Sequence, residues 1–238
     1  MSEQKVAVVL GVGPGLGRAV ARRFAAGGYA VGLMARGEDK LEPVQREIEG
    51  GGGKAVSIPC DVTDPASVAA GFEQLRRALG DPHVYIHNAG AFHMGRLLEV
   101  SPEQFEQCWK ANCYGGFLGA QQALPAMLTR GAGTVILTGA TAALRGAAGF
   151  SCLAVGKFGL RAVAQCLARE YGPQGIHVAH VVLDGQIDTP KLRRRDPDRA
   201  RETLLDPQAI AETYWQLHAQ APSAWTLELD LRPAVEKF

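Results

Sequence analysis

Six short apolar runs, near residues 5–10, 29–35, 54–59, 83–87, 133–138 and 176–183, alternate with longer amphipathic stretches near 15–27, 38–49, 65–79, 101–128 and 150–171. The short runs, rich in β-branched residues, read as strands, and the stretches with apolar positions three and four apart read as helices. A helix between successive strands carries the chain back to its starting edge, so the strands lie parallel and are joined by right-handed crossovers. Most strands are largely apolar, as in Val178-Ala179-His180-Val181-Val182-Leu183, which suits a sheet covered by helices on both faces. A doubly wound α/β fold is therefore expected. Past Leu183 the pattern loosens, and Arg193-Arg194-Arg195 followed by Asp196-Pro197 suggests an exposed lid near 186–206 with some helix. A helix resumes near Pro207–His218. The alternation in Trp225-Thr226-Leu227-Glu228-Leu229-Asp230-Leu231 suits a seventh strand at a sheet edge.

A chain of 238 residues with 47% apolar side chains can build one α/β domain spanning 1–238. Gly50-Gly51-Gly52-Gly53 is too short for a domain linker and serves to stop the second helix. The 25 basic and 24 acidic residues nearly cancel, leaving no general field to recruit nucleic acid or an anionic membrane. Small-molecule chemistry is expected. No stretch has the length and apolarity of a signal peptide or membrane helix, so a cytoplasmic location is expected. The five cysteines, Cys60, Cys108, Cys113, Cys152 and Cys166, are scattered without a CxxC pair, and read as reduced, mainly buried thiols rather than zinc ligands.

Leu10-Gly11-Val12-Gly13-Pro14-Gly15-Leu16-Gly17 falls where the first strand ends and the first helix begins. Glycines there let the backbone approach a pyrophosphate, which the amides and dipole of the helix N-terminus then stabilise. Together with Cys60-Asp61-Val62-Thr63, Asn88-Ala89-Gly90, Asn112, Lys157, Gly175-Ile176-His177-Val178 and Ile187-Asp188-Thr189, this turn resembles the short-chain dehydrogenase/reductase family over roughly residues 5–190. The resemblance implies a Rossmann-type nicotinamide nucleotide site. Gly11, Gly13, Gly15, Leu16 and Gly17 would hold the phosphates, and Asp61 and Val62 the adenine. Asn88, Ala89 and Gly90 would floor the cleft, and Ile187 and Thr189 would reach the nicotinamide end. It also implies a homodimer or homotetramer built on the long fourth and fifth helices.

Cofactor choice turns on Met34-Ala35-Arg36-Gly37, at the end of the second strand. A carboxylate here would favour the ribose hydroxyl of NAD, whereas Ala35 followed by the planar fork of Arg36 favours the 2′-phosphate of NADP(H). Arg18, in the first helix, is a second candidate for that phosphate. Each also reads as a solvated charge.

In that family the general acid/base is a tyrosine four residues before the active-site lysine, which holds the nicotinamide ribose and lowers the tyrosine pKa, a role the resemblance implies for Lys157. A serine about thirteen residues before the tyrosine holds the substrate carbonyl. Lys157 is present, but those positions hold Leu153 and Ala140. Of the family's four site residues, only Asn112 and Lys157 are retained; Lys157 also reads as a lysine facing water, and Asn112 as a residue pinning a helix kink through its side chain. Losing a general acid costs about 10²–10⁴ in rate, while alignment of hydride donor and acceptor is worth more. Substitute donors are Ser151, Cys152, Thr138, Thr141 and His93. Against these roles, Ser151 reads as a helix cap, Cys152 as a packed thiol, the threonines as bonded to local backbone and His93 as solvated. His87, His177 and His180 read as structural, and Tyr214, Trp215 and Trp225 as packing residues. Two readings follow: an NADP(H)-dependent oxidoreductase of atypical mechanism acting on a small carbonyl, enone or imine, or a non-catalytic NADP(H)-binding sensor or partner subunit.

Overall fold

The computed structural model describes residues 4–236. Its centre is a sheet of seven parallel strands, β1 (Val6–Leu10), β2 (Ala30–Ala35), β3 (Ala55–Pro59), β4 (Val84–His87), β5 (Gly133–Thr138), β6 (Ile176–Leu183) and β9 (Glu228–Leu231), ordered β3-β2-β1-β4-β5-β6-β9. A separate two-stranded parallel pair, β7 (Gln186–Ile187) and β8 (Leu204–Leu205), lies within the lid segment. β1 and β6 are buried along their whole length, as expected for strands covered on both faces. Outward-pointing residues would have left alternate positions wet.

The helices form two layers, α1 (Leu16–Ala26), α2 (Glu38–Gly50) and α8 (Pro207–His218) on one face, α3 (Pro65–Leu79), α5 (Gly115–Arg130) and α6 (Ser151–Tyr171) on the other. Each layer seals its own apolar cluster. Phe24, Leu33 and Tyr214 are fully buried in the first, and Phe72, Leu75 and Tyr85 in the second. The remaining helices are α4 (Pro102–Trp109) and the short α7 (Pro190–Arg195). Two helices begin at an Asp followed by Pro: Asp64 caps α3 by accepting the Ala66 and Ser67 amides, and Asp206 caps α8 by accepting the Gln208 amide.

The helix expected over 101–128 is interrupted. Between α4 and α5 the chain widens into a π turn, Lys110–Tyr114. The side-chain Nδ2 of Asn112 donates to the Cys108 carbonyl (2.9 Å) and to the Ala91 carbonyl (2.7 Å). It thereby competes for an acceptor of the helix ladder, and the backbone opens by one residue to admit it.

The start of α6 also departs from expectation. Phe150 is its N-cap, no side chain caps it, and Ser151 Oγ is buried without a partner among the described residues. Ser151 is therefore the first helical residue rather than the cap.

Candidate functional site

The carboxyl ends of β1 to β4 open onto a cleft of about 520 Å³. Gly11, Gly13, Gly15, Arg36, Asp61, Val62, Asn88, Ala89, Gly90 and Thr189, singled out in the sequence, all line it. The turn after β1 is held from both sides. Its Gly11 and Val12 amides donate to the Met34 carbonyl of β2 (2.8 and 3.1 Å). From β4, Asn88 Nδ2 donates to the Gly11 carbonyl (2.8 Å). Gly11 has φ +99° and any Cβ there would collide with the Ala89 backbone, so two strand ends meet here only because the side chain is absent. A Cβ at Gly17 would strike Gly11 and Val12 of the same turn, and one at Gly13 would meet nothing in the protein because that position faces the cleft. Leu16 and Gly17 themselves are buried in the first turn of α1, beneath the lining.

The N-terminus of α1 has Gly15 as its cap, no side-chain capping bond and no acidic residue in its first turn. The first amides of a helix have no intrahelical acceptor and carry the positive end of the macrodipole. An anion at this turn would meet them without displacing a protein group. The residues present thus fit the pyrophosphate of a dinucleotide.

Four cations line the cleft, Arg36 and Lys40 after β2 and Lys191 and Arg194 from α7, against one carboxylate, Asp61. Asp61 Oδ1 is already engaged by the amide and hydroxyl of Thr63 (2.9 and 2.8 Å). Of these, Arg36 was legible in the sequence and Lys40, Lys191 and Arg194 were not; the only signal for the last, the run Arg193–Arg195, suits an exposed lid equally well. Arg18 does not serve the cleft, because its Nε is paired with Glu47 Oε2 of α2 at 2.8 Å.

Lys157, Asn112 and Ile187 do not line this cleft. Ile187 pairs with Leu205 and packs on the core. Lys157, 7% exposed, donates from Nζ to the Thr138 carbonyl at 2.6 Å, and burial lowers its pKa to about 8. The ammonium is thus held at the end of β5, two residues from Ala140. On α6 it lies one turn from Leu153, which is on the same face. Asn112 Oδ1 is buried with no partner among the described residues, and it approaches Gly90 so closely that a Cβ there would be 2.8 Å away.

The substitute donors are dispersed. Thr138 Oγ1 bonds Tyr214 OH (2.9 Å) and Thr141 Oγ1 donates to Asp184 Oδ1, so both threonines bond side chains rather than local backbone. Cys152 is packed, as expected. His93 is half-buried in the loop after β4, outside the cleft lining. The same loop is tied to the loop before α6 by a bond from Gly95 N to Gly149 O (3.0 Å), bringing Phe92 and Phe150 rings within 5.7 Å. His87, fully buried beside Lys157, is held neutral by burial and then by that positive charge, its pKa lowered to about 3.

The family model for short chain dehydrogenases matches residues 5–200. The chain belongs to the short-chain dehydrogenase family. Among its relatives within this family, L-2,3-butanediol dehydrogenase of Corynebacterium glutamicum is 30% identical over 200 residues, which cover 83% of this chain and 77% of that protein. A short-chain dehydrogenase from Rhodopseudomonas palustris has a similar structure, with a TM-score of 0.84 and 37% identity over 96% of this chain and 98% of that one. A metagenomic short-chain oxidoreductase solved in complex with NADP has a TM-score of 0.85 and 27% identity, covering 97% of this chain and 98% of that one. The short-chain dehydrogenase fold thus accounts for the seven-stranded sheet and its flanking helices. No helix among the described residues is long and apolar enough to cross a membrane.

Proposed function

We propose that the chain, as a single domain, is an NADP(H)-dependent oxidoreductase of atypical active site, acting on a small carbonyl, enone or imine. The observation that carries the cofactor assignment is the convergence of Arg36, Lys40, Lys191 and Arg194 on a cleft whose single lining carboxylate, Asp61, is bonded by Thr63. A 2′-phosphate would find charge-assisted donors there, and the NADP complex of a structural neighbour supports the choice. We infer that Leu153 and Ala140 occupy the positions of the family's tyrosine and serine.

A nicotinamide bound in the cleft would supply hydride to the acceptor carbon, and the acceptor's oxygen or nitrogen would then need a proton from the protein. Neither Leu153 nor Ala140 can give it. Lys157 is the group fitted to this task, because its buried ammonium uses one donor on Thr138 O and has a pKa of about 8, close to working pH. Asn112 positions the floor by holding the Ala91 carbonyl. Thr189, which lines the cleft, would meet the nicotinamide end, and Ile187, packed on the core, would support that end from beneath. Phe92, Met94 and Phe150 offer an apolar surface in the neighbouring loops, suited to a substrate with little charge.

Fluorescence titration with NADPH and NADH, followed by loss of NADPH absorbance with a panel of carbonyls, enones and imines, tests the reading. Arg36→Ala is expected to weaken NADPH about tenfold or more and to leave NADH nearly unchanged. Reduction is expected to fall as pH rises through about 8, where Lys157 loses its proton. Equal affinity for both nucleotides in the unmodified chain would remove the NADP assignment. Binding without turnover on any acceptor, even in a Leu153→Tyr/Ala140→Ser variant, would favour a nucleotide-binding sensor or partner subunit instead.

A further inference from the structure

A second cavity, of about 840 Å³, lies at the amino ends of the strands, where β1, β4, β5 and β6 begin. The glycine turn lies at the other end of the same strands, about 17 Å away for a five-residue strand. Its lining includes Lys5, Arg130, His83, His177 and His218, and no Asp or Glu among the described residues. These groups come from five separate parts of the chain. Nothing in the nucleotide site requires them.

Their bonding is poised for a further partner. His218, at the end of α8, lies between two hydroxyls, with Nε2 2.6 Å from Tyr29 OH and Nδ1 2.9 Å from Thr134 Oγ1. A neutral imidazole has one donor and one acceptor, so one hydroxyl must donate to it; a protonated one donates to both and releases that second O–H as well, so that both hydroxyls can donate to a ligand. His177 is 2% exposed, with its ring stacked 4.9 Å from Trp225. Its Nε2 bonds the Thr226 carbonyl at 2.9 Å and so carries the hydrogen, while Nδ1 has no partner among the described residues. Burial lowers the pKa of both histidines, that of His218 to about 4, and the charges of Lys5, His177 and His83 push His218 the same way. A ligand of negative charge would reverse that repulsion.

We propose that this cavity is a binding site for a small multivalent oxyanion, separate from the nucleotide cleft. Lys5 and Arg130 supply permanent charge at its mouth. His83, His177 and His218 supply the walls, with His83 Nδ1 accepting the Val6 amide at 3.2 Å, and protonation of His177 and His218 on binding couples ligand uptake to proton uptake. Once His218 is protonated, Tyr29 and Thr134 can both donate to the ligand at the same time. The site takes phosphate or carboxylate groups, the two oxyanion chemistries that such donors recognise.

The six histidines of the chain give a direct readout, since His83, His177 and His218 are at the cavity and His87, His93 and His180 are elsewhere. In the full chain with ¹³C-labelled histidine, inorganic pyrophosphate and citrate are titrated separately at constant ionic strength, and the ring resonances are followed. The expected result is a saturable shift of the three cavity histidines with at least one probe, tighter at pH 6.5 than at pH 8. A response to pyrophosphate alone names phosphate as the ligand chemistry, to citrate alone carboxylate, and to both the shared oxyanion. Lys5→Ala/Arg130→Ala, which also removes the bond from half-buried Arg130 to the Pro82 carbonyl and whose folding is checked by Tm, is expected to weaken binding at least about tenfold. No saturable shift with either probe, shifts confined to His87, His93 and His180, or unchanged affinity in the double variant overturns the proposal.

Discussion

Asn112 shows how one side chain can set local backbone geometry in this fold. Its amide nitrogen holds carbonyls of two segments, Ala91 in the loop after β4 and Cys108 in α4, and the helix widens around it. The family resemblance marked the residue, but a periodic apolar pattern through 101–128 gave no sign of the π turn, because one additional residue barely disturbs a helical repeat. Asn112→Leu removes both bonds and leaves the Ala91 carbonyl without its side-chain donor. The expected loss is about 2–3 kcal/mol in urea unfolding; a loss below about 0.5 kcal/mol would mean that the carbonyls find other partners. Ser151 teaches the converse lesson. Its place at a helix start suggested a cap, yet capping depends on the dihedral angles of the preceding loop, and Phe150 occupies that position.

At the scale of elements, the lid from 186 to 206 divides three adjacent arginines among different tasks. Arg193 grips Asp188 through two bonds of 2.7 Å and also reaches the Arg199 carbonyl, closing the segment on itself. Arg194 lines the nucleotide cleft, and Arg195 is exposed. Successive residues on a helix point about 100° apart, so a run of one residue type cannot all face one way. Thr189 begins α7 by accepting the Leu192 amide, and its methyl rests against Gly15. The start of the lid therefore registers on the glycine turn. Asp188→Ala is expected to cost the lid about 1 kcal/mol, since the pair is only partly exposed. Limited trypsin digestion after Arg193–Arg195 should then run about fivefold faster, with NADPH slowing it in the unmodified chain. Equal cleavage rates in the two proteins would show that the Arg193–Asp188 pair does not restrain the lid.

For the whole molecule, burial of imidazoles makes acid the weak direction. His87 and His218 have pKa values lowered to about 3 and about 4, and those of His177 and His180 are lowered as well, in each case chiefly by desolvation. Unfolded histidines take their protons near 6.5. Below that pH the unfolded state binds more protons than the folded one, so stability is full above about 7 and falls as pH drops toward 4, by up to about 1.4 kcal/mol per pH unit for each histidine. Thermal melts from pH 7.5 to 4.5 should show Tm steady at first and then declining steeply; a flat profile would contradict the neutral state assigned to these rings. The sequence by itself determined the seven strands of the main sheet and most of the helices that flank them, because apolar periodicity is a local property, and it marked the glycine turn and Arg36, because both lie at predicted strand ends. Only the tertiary structure decided which distant charges converge. Lys191 and Arg194 join Arg36, and Lys5, Arg130 and three histidines meet at the amino ends of the strands, because parallel crossovers bring together strand ends and helix ends far apart along the chain, and no local pattern encodes that meeting.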